Sequence, residues 1–201
     1  MVAATVPVAQ VLSSDQPRIA GVRVEPGTVT VEEGDSVLGN ADAPTTIFLF
    51  SQFHCAYCRH FFEATFPQLK AEILDTGRAR LVFKVFPIGD DEQAVAETER
   101  AARGAYCAAR QEAFWPYVQR LSESDARYEV GDLVTYAEAE ALDREAFEAC
   151  LASEAAAERV AAQIREGVAA GIVATPTFVI NDLLYEGDLS SAEIDSLILQ
   201  L

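Results

Sequence analysis

The run Thr46-Ile47-Phe48-Leu49-Phe50, followed by Cys55-Ala56-Tyr57-Cys58 and a helical pattern from near Arg59, most constrains the fold of this chain. The first run reads as a buried strand. The two thiols, separated by two residues, can close a disulfide across one helical turn. A cysteine at a helix N-terminus sits among unpaired backbone N–H groups, at the positive end of the helix dipole. Both favour thiolate over thiol, and the thiolate is the form that attacks disulfides. The pattern points to thiol–disulfide redox chemistry.

The chain has 201 residues, enough for one ample core or one domain with a sizeable insertion. Half of them are hydrophobic, as in a globular protein. The net charge of −17 argues against nucleic acid or an anionic membrane surface as a main partner. It favours a soluble monomer. No run of apolar residues is long enough to span a bilayer. The N-terminus lacks the basic and apolar regions of a complete signal peptide; a trimmed remnant of one and a native tail are both compatible with it.

Residues 1–26, with Pro7, Pro17, Gly21 and Pro26, read as a flexible tail, and Thr28–Val31 as a short edge strand. After the cysteine pair, Phe61, Phe62, Phe66, Leu69, Ile73 and Leu74 recur at helical spacing up to Gly77, with a kink expected at Pro67. Residues 81–86 read as a strand apolar on both faces. From Asp91 to about Ala170 the pattern is helical, with Asp132 and Asp143 as expected N-caps and Gly171 as the stop. Thr177–Ile180 and Leu183–Tyr185 flank Asn181-Asp182 as a hairpin, and a closing helix over 190–200 starts at Ser190 or Ser191. The reading is an α/β core (27–90 and 172–201) interrupted by an all-helical insertion (91–171).

This order, with the cysteine pair opening the first helix and Thr175-Pro176 before the third core strand, resembles the thioredoxin fold: a central mixed sheet flanked by helices. More closely, it is similar to the DsbA-type thiol:disulfide oxidoreductases of bacterial cell envelopes. Residues 37–44, 50–58, Phe114-Trp115 and 171–181 carry the likeness, which covers about residues 35–201. The resemblance implies that Cys55 attacks, Cys58 resolves, and Pro176 is a cis-proline facing the disulfide. It also implies that Thr175, with Ala56 and Tyr57 between the cysteines, meets substrate. Two positions depart from the family pattern. Ala56 stands where many relatives have proline, and Leu49 where many carry a buried proton-shuttling acid. Proton transfer at Cys58 then needs water or another group.

His54 and Lys84 are candidate modulators of the reactive thiol. An imidazolium beside Cys55 would lower its pKa; an exposed polar His54 is the alternative. Lys84 lies mid-strand among apolar neighbours, and its amine either reaches a thiolate or snorkels to water. His54, Cys55, Cys58 and His60 also invite a zinc reading. Residues 58 and 60 point to different helix faces and no second ligand cluster follows, so no metal site and no cofactor are expected. Cys107 and Cys150 lie on apolar faces of the helical block. In an oxidising compartment they are expected to bridge; two separate buried thiols are the alternative.

The functional expectation is an extracytoplasmic oxidoreductase, most simply an oxidase, exchanging disulfides with cysteine-bearing proteins. By family resemblance its re-oxidising partner would be a membrane oxidase of the DsbB or vitamin-K-epoxide-reductase type. A reductase or isomerase uses the same chemistry. A binding module or chaperone, with the Cys55–Cys58 bridge static, is the alternative from another class.

Overall fold

In the computed structural model, residues 21–89, 91–124 and 127–199 are described; residues 1–20 of the expected tail, and the last residues of the expected closing helix, lie outside this set. The strands are β1 (Val22–Arg23), β2 (Ser36–Leu38), β3 (Thr45–Ser51), β4 (Ala79–Val85), β5 (Thr177–Ile180) and β6 (Leu183–Glu186). They form one mixed sheet in the order β1-β6-β5-β3-β4-β2. Only β3 and β4 run parallel; the other neighbours are antiparallel. The helix crossing between β3 and β4 forces that arrangement, because a parallel pair needs a long connection.

That connection is α1 (Ala56–His60) and α2 (Phe66–Leu69), joined and followed by the π-helical turns Phe61–Thr65 and Lys70–Leu74. Pro67 falls at the start of α2, after the first π turn. Its missing N–H is tolerated where the hydrogen-bond ladder already shifts register. The helix ends at Leu74, and Gly77 follows in the turn at φ 76°.

Between β4 and β5 the chain is helical: α3 (Glu92–Ala109), α4 (Phe114–Glu123), α5 (Val130–Ala139), α6 (Arg144–Leu151) and α7 (Glu154–Ala169). Asp143 caps α6, its carboxylate accepting from the Ala146 N–H. Asp132 instead lies in the first turn of α5, whose cap position is Glu129; an acid near a helix start is favourable in either place. Gly171 ends the block at φ 75°. Asn181 and Asp182 both take positive φ, as the tight β5–β6 hairpin requires, and a capping box of Ser190 and Glu193 starts α8 (Ser191–Ile198).

Both sheet faces are covered. Ile47, Leu49, Leu81, Phe83 and Phe178 pack under the crossing helices and α3–α6, whereas Phe50, Phe86 and Val179 pack with Ala170 and Ile172 after α7. Fully buried Phe61 stacks edge-on against Phe178, ring centroids 5.4 Å apart. Truncating either ring to alanine costs about 3–5 kcal/mol, and this packing fixes α1 against the sheet.

Two expectations near the N-terminus are corrected. Residues 28–31 form no strand; the Thr30 backbone is held by side chains, its carbonyl accepting from Lys84 and its N–H donating to Glu166. Conversely Val22–Arg23, expected within the tail, pair with β6. Two residues are too few to carry a period.

Candidate active site

β3 ends at Ser51, and the next three residues lead to Cys55 at the N-cap of α1. Each of these steps is tied down from elsewhere. The Ser51 carbonyl accepts from the Phe86 N–H (2.8 Å). The Gln52 amide donates to the Ile88 carbonyl (3.1 Å) and to the Thr175 hydroxyl (3.2 Å). Tyr128 donates to the Phe53 carbonyl (3.1 Å), and His54 Nε2 lies 2.9 Å from the Glu97 carboxylate. A reactive atom placed by such a shell gains precision.

Cys55 and Cys58 are both thiols in this structure. Cys55 is half-buried and accepts from the Cys58 N–H at 3.3 Å, while its own S–H donates to the Thr175 carbonyl at 3.3 Å. Its pKa is lowered from 9.0 to about 6. The hydrogen bond from the Cys58 side chain is the largest cause; partial burial opposes it, and the Cys58 N–H, the Thr175 side chain and the Tyr57 backbone add to the lowering. Cys58 is buried, and desolvation together with the neighbouring Cys55 pushes its thiol far up. The Ser51 side chain and the Gln52 backbone partly offset that rise. One sulfur is thus ready to attack at neutral pH, and the other keeps its proton until a step draws it off.

The Thr175–Pro176 peptide bond is cis. The loop brings the Thr175 carbonyl onto Cys55, and the Pro176 carbonyl accepts from the Gly187 N–H at 2.8 Å. Tyr57, between the two cysteines, is 66% exposed and Val173, two residues before Thr175, 67%, with Ala56 open to solvent.

The two candidate modulators are placed differently from expectation. His54 turns toward the helical block, its ring edge-on to Tyr128 at 5.0 Å and its Nε2 at the Glu97 carboxylate. Lys84 neither reaches the cysteines nor snorkels to water. Its Nζ is buried and bonds the Thr30 carbonyl (2.9 Å), Asp35 (2.7 Å) and Glu166 (2.7 Å), so all three donors are satisfied within the fold. His60 pairs with Asp188 at the surface, away from any metal-like cluster; among the described residues no such cluster occurs. Cys107 of α3 and Cys150 of α6 are joined by a disulfide. The sequence reading missed Ser51, Gln52, Glu97 and Tyr128. The first two adjoin the cysteines, but no spacing rule marks them; the last two come close only through the fold.

The sheet order, the helical block and the dithiol at the start of α1 define a thioredoxin-fold protein of the DsbA-like kind. Comparison with known proteins agrees: a family model described as thioredoxin matches residues 31–200, and the chain belongs to that family. Among solved structures, oxidised BdbD from Bacillus subtilis superposes with a TM-score of 0.71 at 24% identity, covering 83% of this chain and 92% of the other. DsbA from Chlamydia trachomatis gives 0.71 at 24%, covering 85% and 93%. A probable disulfide bond formation protein D from Bacillus cereus is 27% identical over 80% of this chain and 74% of its own length. A Na(+)/H(+) antiporter NhaA from Herminiimonas arsenicoxydans is 30% identical over 92% of this chain but only 28% of the antiporter. The chain thus spans about a quarter of the length of the antiporter relatives it matches.

Proposed function

We propose that the chain is a thiol:disulfide oxidoreductase that works on cysteine-bearing proteins, chiefly as an oxidase introducing disulfides into exported proteins. The observation that carries this reading is the contrast between the two sulfurs: Cys55 half-exposed with a pKa near 6, and Cys58 buried with its thiol raised. A low-pKa Cys55 stabilises the dithiol form, and a stabilised dithiol makes the disulfide form a stronger oxidant.

In the oxidising direction a substrate thiolate attacks Cys55 of the Cys55–Cys58 disulfide. The substrate–Cys55 bond forms, the Cys55–Cys58 bond breaks, and Cys58 leaves as a thiolate that takes up a proton. A second substrate thiolate then attacks the substrate sulfur of the mixed disulfide. Cys55 leaves as the low-pKa thiolate, the substrate is oxidised by two electrons and the enzyme reduced by two. Thr175, Pro176, Ala56 and Tyr57 would line the substrate contact, with the Thr175 backbone available for pairing. The core, 27–90 with 172–201, carries the chemistry, and the insertion, 91–171, covers one sheet face. A membrane oxidase of the DsbB or vitamin-K-epoxide-reductase type would return the enzyme to its disulfide form in an extracytoplasmic compartment. No helix among the described residues is long and apolar enough to cross a membrane.

Equilibration with glutathione tests the direction. A potential near about −120 mV identifies an oxidant, and one near about −270 mV a reductant. Dithiothreitol-driven insulin reduction, compared with Cys55→Ser, tests the chemistry itself; equal rates would leave only a binding module or chaperone with a static Cys55–Cys58 disulfide.

A further inference from the structure

Two side chains from the helical block hold the backbone immediately before the nucleophile. Tyr128, buried between α4 and α5, donates from its hydroxyl to the Phe53 carbonyl at 3.1 Å and to the Leu121 carbonyl at 3.3 Å. Phe53 is buried and its carbonyl lies past the end of β3, so the loss of this donor would leave a buried acceptor poorly satisfied. Glu97 of α3 faces His54 at 2.9 Å, and its other oxygen accepts from Gln93 at 2.9 Å. Tyr128 is itself anchored: Arg100 of α3 donates to its carbonyl at 3.0 Å and to the adjacent Glu129 at 2.9 Å.

We propose that Tyr128 and Glu97 are positioning residues for Cys55: they fix the Phe53–His54 step, and through it the distance from the Cys55 sulfur to the donors at the start of α1. This deepens, and rests on, the disulfide-exchange reading. The sulfur accepts from the Cys58 N–H at 3.3 Å, an ordinary length for a sulfur acceptor, and such a bond weakens as distance grows and alignment is lost. A loop free to drift therefore loses thiolate stabilisation before it loses its fold. The helical block, which makes no hydrogen bond to the Cys55 sulfur among the described residues, then sets how readily Cys55 ionises. The groups facing Tyr128 and His54 are Glu97, Arg59, Tyr136 and Ser124. Burial holds the Tyr128 hydroxyl up at about 12, so it stays a donor throughout the working range.

The test compares reduced full-length protein with Tyr128→Phe, which keeps the ring, and with Glu97→Ala, Glu97→Gln and His54→Ala. Iodoacetamide alkylation of Cys55 is followed against pH, and thermal melting is measured in parallel. The expected result is a rise of about one pH unit in the Cys55 profile for Tyr128→Phe, Glu97→Ala and His54→Ala. With the parent midpoint at about 6, that is about a fivefold slower reaction at pH 6. Glu97→Gln, which keeps the side chain's length and an oxygen facing His54, restores most of the rate. Profiles superimposable on the parent in folded variants would overturn the proposal and leave both residues merely structural. Partly exposed His54 decides the matter should the buried variants not fold. Alkylation needs no protein substrate, so loss of insulin turnover in the parent would count against the exchange reading and not against the positioning.

Discussion

The Cys55 sulfur accepts a hydrogen bond from the Cys58 N–H at 3.3 Å, while the Cys58 side chain is buried beneath it. Two thiols three residues apart therefore have opposite titration behaviour, and this gives the dithiol protein a pH-dependent stability. Unfolded, Cys55 binds its proton up to about 9; folded, it releases it at about 6. Between those values the folded state holds fewer protons, so stability rises with pH across this window and is lost as pH falls through 6. Above 9 the raised Cys58 works in the opposite sense, because the unfolded thiol ionises there first. Denaturant melts of the reduced protein and of Cys55→Ser, at about pH 5.5 and about pH 8.5, should show the parent gaining relative to the variant at the higher pH. A constant difference would contradict the lowered Cys55.

Asp35 is the hinge of a second prediction. Its carboxylate meets Lys84 on one oxygen and Arg159 on the other, with Gln163 donating at 3.2 Å, and both Asp35 and Lys84 side chains are wholly buried. The cluster ties the loop before β2 to β4 and α7. Asp35→Ala leaves Lys84 with Glu166 alone and takes from Arg159 its carboxylate partner, and removing one partner from a buried ionic network costs about 3–5 kcal/mol. Urea unfolding measures it; a loss below about 1 kcal/mol would mean that water replaces the carboxylate.

What the sequence made legible follows from which interactions are local. Cys55 at a helix start, the Asn181-Asp182 turn and the Asp143 and Ser190 caps are short-range chemistry and are seen where they were expected. Lys84 is the counterexample. Its three acceptors come from residues 30, 35 and 166, and nothing near position 84 announces them. His54 is similar: Glu97, 43 positions on, draws the ring away from the sulfur that adjacency pointed to. Tyr128 could not be linked to Phe53 from sequence because that contact is made by folding the helical block onto the core.

The Cys107–Cys150 disulfide joins α3 to α6 across 43 residues of chain. Closing a loop of that length removes unfolded-state entropy corresponding to about 2–4 kcal/mol. The double variant Cys107→Ala, Cys150→Ala should lose about that much in denaturant melts under oxidising conditions. In the parent, dithiothreitol should produce a comparable loss, whereas in the variant it should change stability only through the Cys55–Cys58 pair. Equal sensitivity of parent and variant to the reductant would argue that the bridge contributes little.

Gly167 tests the close packing of α7 on the sheet. A Cβ built there would lie 2.5 Å from Phe86 Cδ2 and 3.3 Å from Phe50 Cδ1, and both rings are buried with nowhere to retreat. Glycine-to-alanine in a helix ordinarily gains up to about 1 kcal/mol. Here the overlap outweighs it, and Gly167→Ala should lose about 1–3 kcal/mol net as α7 is pushed off the sheet. Gly131, on α5 with nothing within 4 Å of the same construction, is the matched control and should be neutral or stabilised by up to about 1 kcal/mol. Thermal melts of the two variants side by side separate packing from propensity. A stabilised Gly167→Ala would show that the Phe86 ring can move aside.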